Sequence, residues 1–170
     1  MGLQTSVNKF QVLGVPGEFA DNSPSRVTPY TLENNSTVVP AVGCVFTQSS
    51  TADSVAKVGG SGAFLGVCIE PKQYANKANL TATLNLAAGQ VGEICSMGHI
   101  FVKSATAFEP GYLAEYEPAT GVISAIASTL STATAVQIPD AKFIQVSGAA
   151  GHIGILELGA FGVPTATAYS

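Results

Sequence analysis

Residues 112–123 read YLAEYEPATGVI, and they decide which class of fold to expect. Tyr112, Ala114 and Tyr116 form one face of an alternating run, which is the period-2 pattern of a β-strand. The turn sequence PATG follows at residues 118–121, and its glycine can adopt the positive φ that a tight turn needs. The stretch therefore predicts a β-hairpin.

Similar short β-like runs, separated by Gly and Pro turns, continue through most of the chain. The clearest is LTATLNL at residues 80–86, in which every second residue is Leu or Ala. Further candidate strands are residues 38–46, 63–69, 91–95, 99–103, 136–138, 143–146 and 153–158. Strands at a spacing of roughly 8–12 residues with such turns predict an all-β sandwich or barrel.

Two stretches leave their secondary structure open. Ile123, Ile126 and Leu130 fit helical spacing, so residues 122–131 are compatible with either a helix or a strand. Residues 51–58 could hold one helical turn.

The chain is organised as one domain with extended ends. Its 170 residues are enough to bury a hydrophobic core without disulfides or metals. Residues 1–35 contain Pro16, Pro24 and Pro29, each of which disfavours helix, and form a predicted extended N-terminal arm. Residues 36–158 form the β-body, and residues 159–170 form an uncharged C-terminal tail.

The composition excludes several classes of protein. Hydrophobic residues make up 46% of the chain, which argues against disorder. A net charge of −4 leaves no basic surface for nucleic acid. The most apolar region, residues 149–163, is interrupted by His152 and Glu157, so no membrane span is expected. Charged residues make up only 11%, against ~25% in typical soluble proteins, which indicates a surface that packs against other chains.

The chain offers few groups for chemistry. Its two histidines, His99 and His152, are expected at strand ends, each making one structural hydrogen bond. Glu115 and Glu117 are expected on a solvated strand face, and the Cys95–His99 spacing lacks the paired ligands of a zinc site. The sequence therefore predicts a protein that is not an enzyme, with no catalytic residues, metal or cofactor.

The three cysteines, Cys44, Cys68 and Cys95, are expected to be buried and reduced. The first ten residues lack the apolar segment of a secretory signal. Both features are consistent with synthesis in a reducing cytoplasm.

The arm carries a resemblance to a known family. Residues 15–26, VPGEFADNSPSR, preceded by Gln4-Thr5 and Asn8, resemble the N-terminal signature of the cement (decoration) proteins of tailed-phage capsids. The order of features in the body is similar as well, at residues 42–46, 64–67 and 110–123.

The resemblance implies a fold, a location and a set of partners. The fold would be a jelly-roll-like sandwich or barrel, associated as a homodimer or homotrimer. The protein, made in the bacterial host, would bind the outer surface of a virion, where it would bridge neighbouring major capsid subunits of the HK97-type fold and stabilise the shell.

The arm is the candidate binding segment. Phe19 is a large apolar anchor, and the alternative is that it folds back on its own body as a latch. The residues predicted to contact the capsid or a partner are Val15, Pro16, Gly17, Glu18, Phe19, Asp21 and Arg26.

Two other functions remain open on the sequence. One is a different β-structural phage component, such as a head-fibre or tail-tube subunit. The other is a carbohydrate-binding β-sandwich that would use Tyr112 and Tyr116 as a stacking face.

Overall fold

A computed structural model describes residues 14–33, 41–69, 89–127 and 134–159. All regular secondary structure in these ranges is β, as the sequence predicts. The strands are β1 (Arg26–Leu32), β2 (Val45–Gln48), β3 (Val55–Val58), β4 (Phe64–Ile69), β5 (Val91–Lys103), β6 (Leu113–Tyr116), β7 (Ile123–Ile126), β8 (Val136–Ile144) and β9 (Ile153–Leu158). The predicted strand at residues 80–86 lies outside the described residues. In the described ranges, no helix has the length and apolar character needed to cross a membrane.

Five strands close on themselves into a barrel, which we call the N-terminal barrel. Going round the ring, β1 pairs with β3, β3 with β2, β2 with β4, β4 with β5, and β5 returns to β1. Only the β1–β3 pair is parallel. Closure satisfies the backbone groups that an open sheet would expose at its edges.

The second half of β5 begins a separate antiparallel sheet, in the order β5–β9–β8–β6–β7. The pairing of β5 changes at Gly98, which has a φ of +135° and bonds to β9, whereas Met97 still pairs with β1. Glycine suits such a bend because it has no Cβ to crowd the neighbouring chain. One 13-residue strand thus holds the two halves of the molecule together.

The far edge of this second sheet is covered by the chain that follows β5. The Ala105 N–H donates to the carbonyl of Ile123 at 2.9 Å. The Thr106 hydroxyl accepts from the Ala125 N–H and donates to the Ala125 carbonyl, both at 2.8 Å. The second sheet is therefore also barrel-like, because its last strand, β7, is hydrogen-bonded to residues 105 and 106, which directly follow its first strand, β5.

The two halves have separate hydrophobic cores. Cys68 and Ile94 belong to a smaller cluster with Leu32 and Phe46, whereas their strand neighbours Val67 and Cys95 belong to a larger cluster shared with the second sheet. Because successive side chains of a strand point to opposite faces, β4 and β5 contribute to both cores. The smaller cluster fills the N-terminal barrel.

The hairpin predicted at residues 112–123 is confirmed. β6 and β7 pair from Leu113↔Ile126 to Tyr116↔Ile123, and Gly121 in the turn has a φ of +72°. The stretch left open at residues 122–131 is strand β7 over its described part. Residues 55–58 are strand β3 rather than part of a helical turn.

Two pairs of predicted strands each form one longer strand. Residues 91–95 and 99–103 both belong to β5, and residues 136–138 and 143–146 fall largely within β8. Gly98 in β5 and Pro139 in β8 are both accommodated within a continuous strand.

The prediction that Glu115 lies on a solvated face is wrong. Its side chain is only 1% exposed, because β6 lies between β7 and β8 and its residues from Ala114 to Tyr116 are all buried. Tyr116 is also buried, and its hydroxyl donates to the Gly60 carbonyl at 3.0 Å. A tyrosine held in this way cannot form the sugar-stacking face proposed for it.

Candidate functional site

The described part of the arm lies along β5 of its own chain. The Gly17 N–H donates to the Phe101 carbonyl at 2.7 Å, and the Phe101 N–H donates to the Glu18 carbonyl at 2.9 Å. The Ala20 N–H donates to the His99 carbonyl at 2.9 Å. Residues 17–20, which we call the docked segment, therefore occupy the edge of the second sheet that β5 would otherwise expose.

A tight turn precedes the docked segment, and the local sequence explains it. The Glu18 N–H donates to the Val15 carbonyl at 3.1 Å across Pro16 and Gly17, and Gly17 has a φ of +89°. Proline at the second position and a positive-φ glycine at the third are the signature of a type II turn.

The turn also fits closely against the body. A Cβ placed on Gly43 would lie 2.9 Å from Cβ of Pro16, so only glycine leaves room for the turn there. Gly43 itself has a φ of +81°. The position of the turn is therefore fixed by packing as well as by its own dihedral angles.

Phe19 combines an anchored backbone with an exposed side chain. Its backbone is bridged to Ile100, yet 36% of the residue surface remains exposed. Cε1 of its ring lies 3.6 Å from the position that a Cβ on Gly98 would occupy. The segment is thus fixed on its own chain while part of the aromatic surface faces outward.

Two other apolar residues near the docked segment are exposed as well. Val15 in the preceding turn is 45% exposed, and Val27 near the start of β1 is 37% exposed. Isolated exposed apolar residues are ordinary, so the weight of the site rests on Phe19, whose backbone is fixed on β5.

Asp21 fastens the end of the docked segment to the body. Its Oδ2 lies 2.6 Å from Nδ1 of His99, and its Oδ1 accepts from the Ser23 N–H at 2.9 Å. These bonds, led by the one to His99, lower the pKa of Asp21 from 3.8 to about 2. The carboxylate that the sequence assigned to partner binding is therefore engaged within its own chain.

Arg26 lies a short distance further along β5. It is the first residue of β1, is exposed, and pairs with Met97, whereas Phe19 is bridged to Ile100. Residues 21–25 form the loop between the Phe19–Ile100 bridge and the Arg26–Met97 pair, and Ser25 in this loop lies beside Gly98. Five of the seven predicted site residues, Gly17, Glu18, Phe19, Asp21 and Arg26, thus contact or pair with β5 on either side of Gly98, and Val15 and Pro16 form the turn that precedes them.

His99 is the partner of Asp21 that the sequence did not predict. One structural hydrogen bond was expected for it, but not its partner, because Asp21 is 78 positions away in the chain. No local pattern indicates such a pairing. The Cys95 thiol donates to the Met97 carbonyl at 3.0 Å, so Cys95 and His99 have separate partners.

Comparison with known protein families gives a match that spans nearly the whole chain. Residues 3–159 match the family of phage proteins described as "Structural cement protein (E217 gp24/Pam3 gp6)". The chain belongs to this family. The resemblance noted in the arm is therefore confirmed, and so is the predicted function of a capsid-stabilising cement, or decoration, protein.

A comparison of folds agrees with this assignment. The cement protein is similar to a chain in the solved structure "The capsid of Myoviridae Phage XM1", with a TM-score of 0.65 and 13% sequence identity. The alignment covers 95% of the cement protein and 99% of the other chain. At that identity the likeness concerns the fold. Comparison with curated proteins gives no significant match.

The family assignment settles the broad class of the molecule. It is a structural protein that binds a phage capsid. The surface around Gly98 is the best candidate for that contact among the described residues.

Proposed function

We propose that this cement protein binds the outer surface of an HK97-type capsid shell and bridges neighbouring major capsid subunits. The residues that make the contact are Val15, Pro16, Gly17, Glu18, Phe19, Asp21 and Arg26. The observation that carries the proposal is that the docked segment has a fixed backbone and leaves Phe19 partly exposed.

A fixed backbone favours binding because less conformational entropy is lost when the complex forms. Three backbone hydrogen bonds to β5 and the Asp21–His99 contact hold the segment before any partner arrives. Phe19 and Val15 supply apolar area, and aromatic side chains are frequent hot spots of binding.

Within this set, the residues have different roles. Pro16, Gly17 and Asp21 shape and hold the segment, since they form the turn and the contact with His99. Val15, Phe19 and Arg26 present side chains to the partner. Glu18 does both, because its Oε2 accepts from the Val15 N–H at 3.3 Å while the residue remains exposed.

The mechanism is thermodynamic. A ligand that binds only the assembled shell stabilises it by mass action, because disassembly must first release the ligand. A site that spans two subunits exists only in the assembled state. A homodimer or homotrimer would multiply a modest affinity through effective concentration.

We assign a separate role to each of three segments of the chain. Residues 1–35 serve as the binding arm, residues 36–158 as the body, and residues 159–170 as a tail with a secondary contact. The described part of the arm includes β1, so the arm also completes the N-terminal barrel. Synthesis in the bacterial host cytoplasm is consistent with the three free cysteines.

The test is to mix the purified protein with undecorated phage heads before and after expansion, and to image both by electron cryomicroscopy. We expect regular density on the outer surface of expanded heads, placed across subunit boundaries, and a higher melting temperature of the decorated heads. Density confined to tails or head fibres would support the alternative phage component. Absence of binding to either form would contradict the proposal.

A further inference from the structure

Two of the three cysteines lie opposite each other on adjacent, hydrogen-bonded segments of the N-terminal barrel. Val45 of β2 pairs with Val67 of β4, which places Cys44 opposite Cys68 one step further along. The Cys68 N–H donates to the Cys44 carbonyl at 2.9 Å, and the Gly43 N–H donates to the Cys68 carbonyl at 2.8 Å. With Gly43 at a φ of +81°, this is the pattern of a glycine-containing β-bulge.

The side chains of the pair meet in the same core. Cys68 is a member of the smaller hydrophobic cluster, and Cys44 packs against that cluster. Burial raises the pKa of both thiols, that of Cys68 to about 12, and the neighbouring Cys44 contributes to the rise at Cys68.

Cys95 is excluded from this pair by the alternation of β5. It belongs to the larger cluster, whereas its neighbour Ile94, which pairs with Cys68, belongs to the smaller one. Its thiol donates to the Met97 carbonyl. The odd number of cysteines therefore divides into one opposed pair and one separate thiol.

We infer that Cys44 and Cys68 form a disulfide once the protein meets an oxidising environment, and that it staples β4 to the segment before β2. The two backbone bonds between the Gly43–Cys44 segment and Cys68 keep the chains at the spacing of antiparallel neighbours, where opposed Cα atoms of a regular hydrogen-bonded pair lie about 5.5 Å apart. That separation lies within the range of about 4.4–6.8 Å that disulfides adopt. The inference does not depend on the proposed capsid contact.

Oxidation by a small disulfide such as oxidised glutathione proceeds by two exchanges. The Cys44 thiolate, on the less buried residue, attacks one glutathione sulfur, forms a mixed disulfide and expels one glutathione thiolate. The Cys68 thiolate then attacks the Cys44 sulfur and expels the second. The two protein thiols lose two protons and two electrons, and oxidised glutathione is reduced to two thiols.

The staple would stabilise the fold by constraining the unfolded chain. It would close a loop from residue 44 to residue 68, and a loop of such length usually gives a gain that raises the melting temperature by about 5–10 °C. In a reducing cytoplasm both thiols stay free. A particle released from its host would therefore carry a cement protein more stable than the newly made one.

The experiment incubates the folded full chain with oxidised glutathione, refolds a second sample from denaturant in the same buffer, and maps the disulfides of both samples by mass spectrometry of peptides. We expect a Cys44–Cys68 link, a free Cys95 and a melting temperature that falls back on reduction. Cys95→Ala should keep both the link and the shift, whereas Cys44→Ala should lose both.

If a variant fails to fold, the peptide map of the wild-type protein decides by itself. Three unreacted thiols, a link that involves Cys95, or an oxidised protein that melts no higher than the reduced one would each overturn the inference.

Discussion

Phe19 is the residue on which the proposed contact with the shell depends most. Its backbone is bridged to Ile100, so the segment stays in place when the ring is removed. Its partly exposed ring contributes less to folding than a buried aromatic, whose loss costs about 3–5 kcal/mol. Replacing Phe19 can therefore show whether its ring mainly contacts a partner or mainly stabilises its own chain as a latch.

We expect Phe19→Ala to weaken binding to expanded heads at least tenfold, about 1.4 kcal/mol, while the free energy of unfolding falls by about 1 kcal/mol or less. Sedimentation of heads with bound protein gives the first quantity, and thermal unfolding the second. The control is Val136→Ala on β8, a valine with similar exposure of 38%, which should bind normally. Normal binding with a large loss of stability would identify Phe19 as a latch.

Asp21 gives the attachment of the docked segment a dependence on pH. Its pKa falls from 3.8 to about 2 on folding, so the ionised carboxylate favours the folded state. The stabilising contribution is complete above pH 3.8 and is lost as the pH falls through about 2. At neutral pH the contribution of the Asp21 carboxylate can be measured only by comparison with a variant that lacks its negative charge.

The variant is Asp21→Asn, and the measurement is hydrogen-exchange protection of the Ala20 amide, which donates to the His99 carbonyl. We expect lower protection than in the wild type above pH 4, and a difference that shrinks as the pH approaches about 2. Asp53→Asn, which removes an exposed carboxylate in the turn before β3, serves as the control. Equal protection of Ala20 at every pH would show that the Asp21–His99 contact does not hold the segment.

The packing of strand β9 requires a residue without a side chain at position 154. Gly154 faces Phe108, whose ring is stacked on Phe143 with centroids 4.9 Å apart. A Cβ on Gly154 would lie 2.6 Å from the Phe108 ring and 3.1 Å from that of Phe143. The two rings and the bare backbone therefore form one packed unit.

We expect Gly154→Ala to lower the free energy of unfolding by about 1–3 kcal/mol, because neither ring can move without disturbing the core. Chemical denaturation measures the change. Combining it with Phe108→Leu, which makes room for the methyl group, should cost less than the sum of the single changes. Strictly additive costs would contradict the contact.

Over the whole molecule, the scarcity of charge is the property that points to association. The chain has 7 basic and 11 acidic residues in 170, so little electrostatic repulsion opposes contact between copies. Both outer edges of the second sheet are covered, by the docked segment and by Ala105 and Thr106. Association through an added strand at these edges is therefore disfavoured, and side-chain surfaces are left for contact.

We expect the purified protein to have a mass of two or three times 17.2 kDa in light scattering after size-exclusion chromatography. Moderate salt should leave that mass unchanged, because the contacts depend little on ion pairs. The mass of the Phe19→Ala variant shows whether the surface around Phe19 is also used for association: a single-chain mass would mean that it is, and an unchanged mass that it is not. A single-chain mass at all concentrations would contradict the proposed oligomer.

Much of this molecule was determined by its sequence, because the relevant physics is local. Alternation predicts strands, and the PATG turn and the Pro16-Gly17 pair fix dihedral angles within a few residues, so the β6–β7 hairpin and the turn before the docked segment were both foreseeable. The family was also recognisable from the sequence, and residues 3–159 match it.

Only the tertiary structure decided which distant segments meet. Closure of the N-terminal barrel by β1 and β5, burial of Glu115, the Asp21–His99 contact and the Cys44–Cys68 pair all depend on which strands become neighbours. Many alternative pairings satisfy the same alternation, and the choice among them rests on the packing of two whole cores. Alternation along a strand predicts which face of the sheet a side chain occupies, but it does not predict which residues of other strands will contact that side chain.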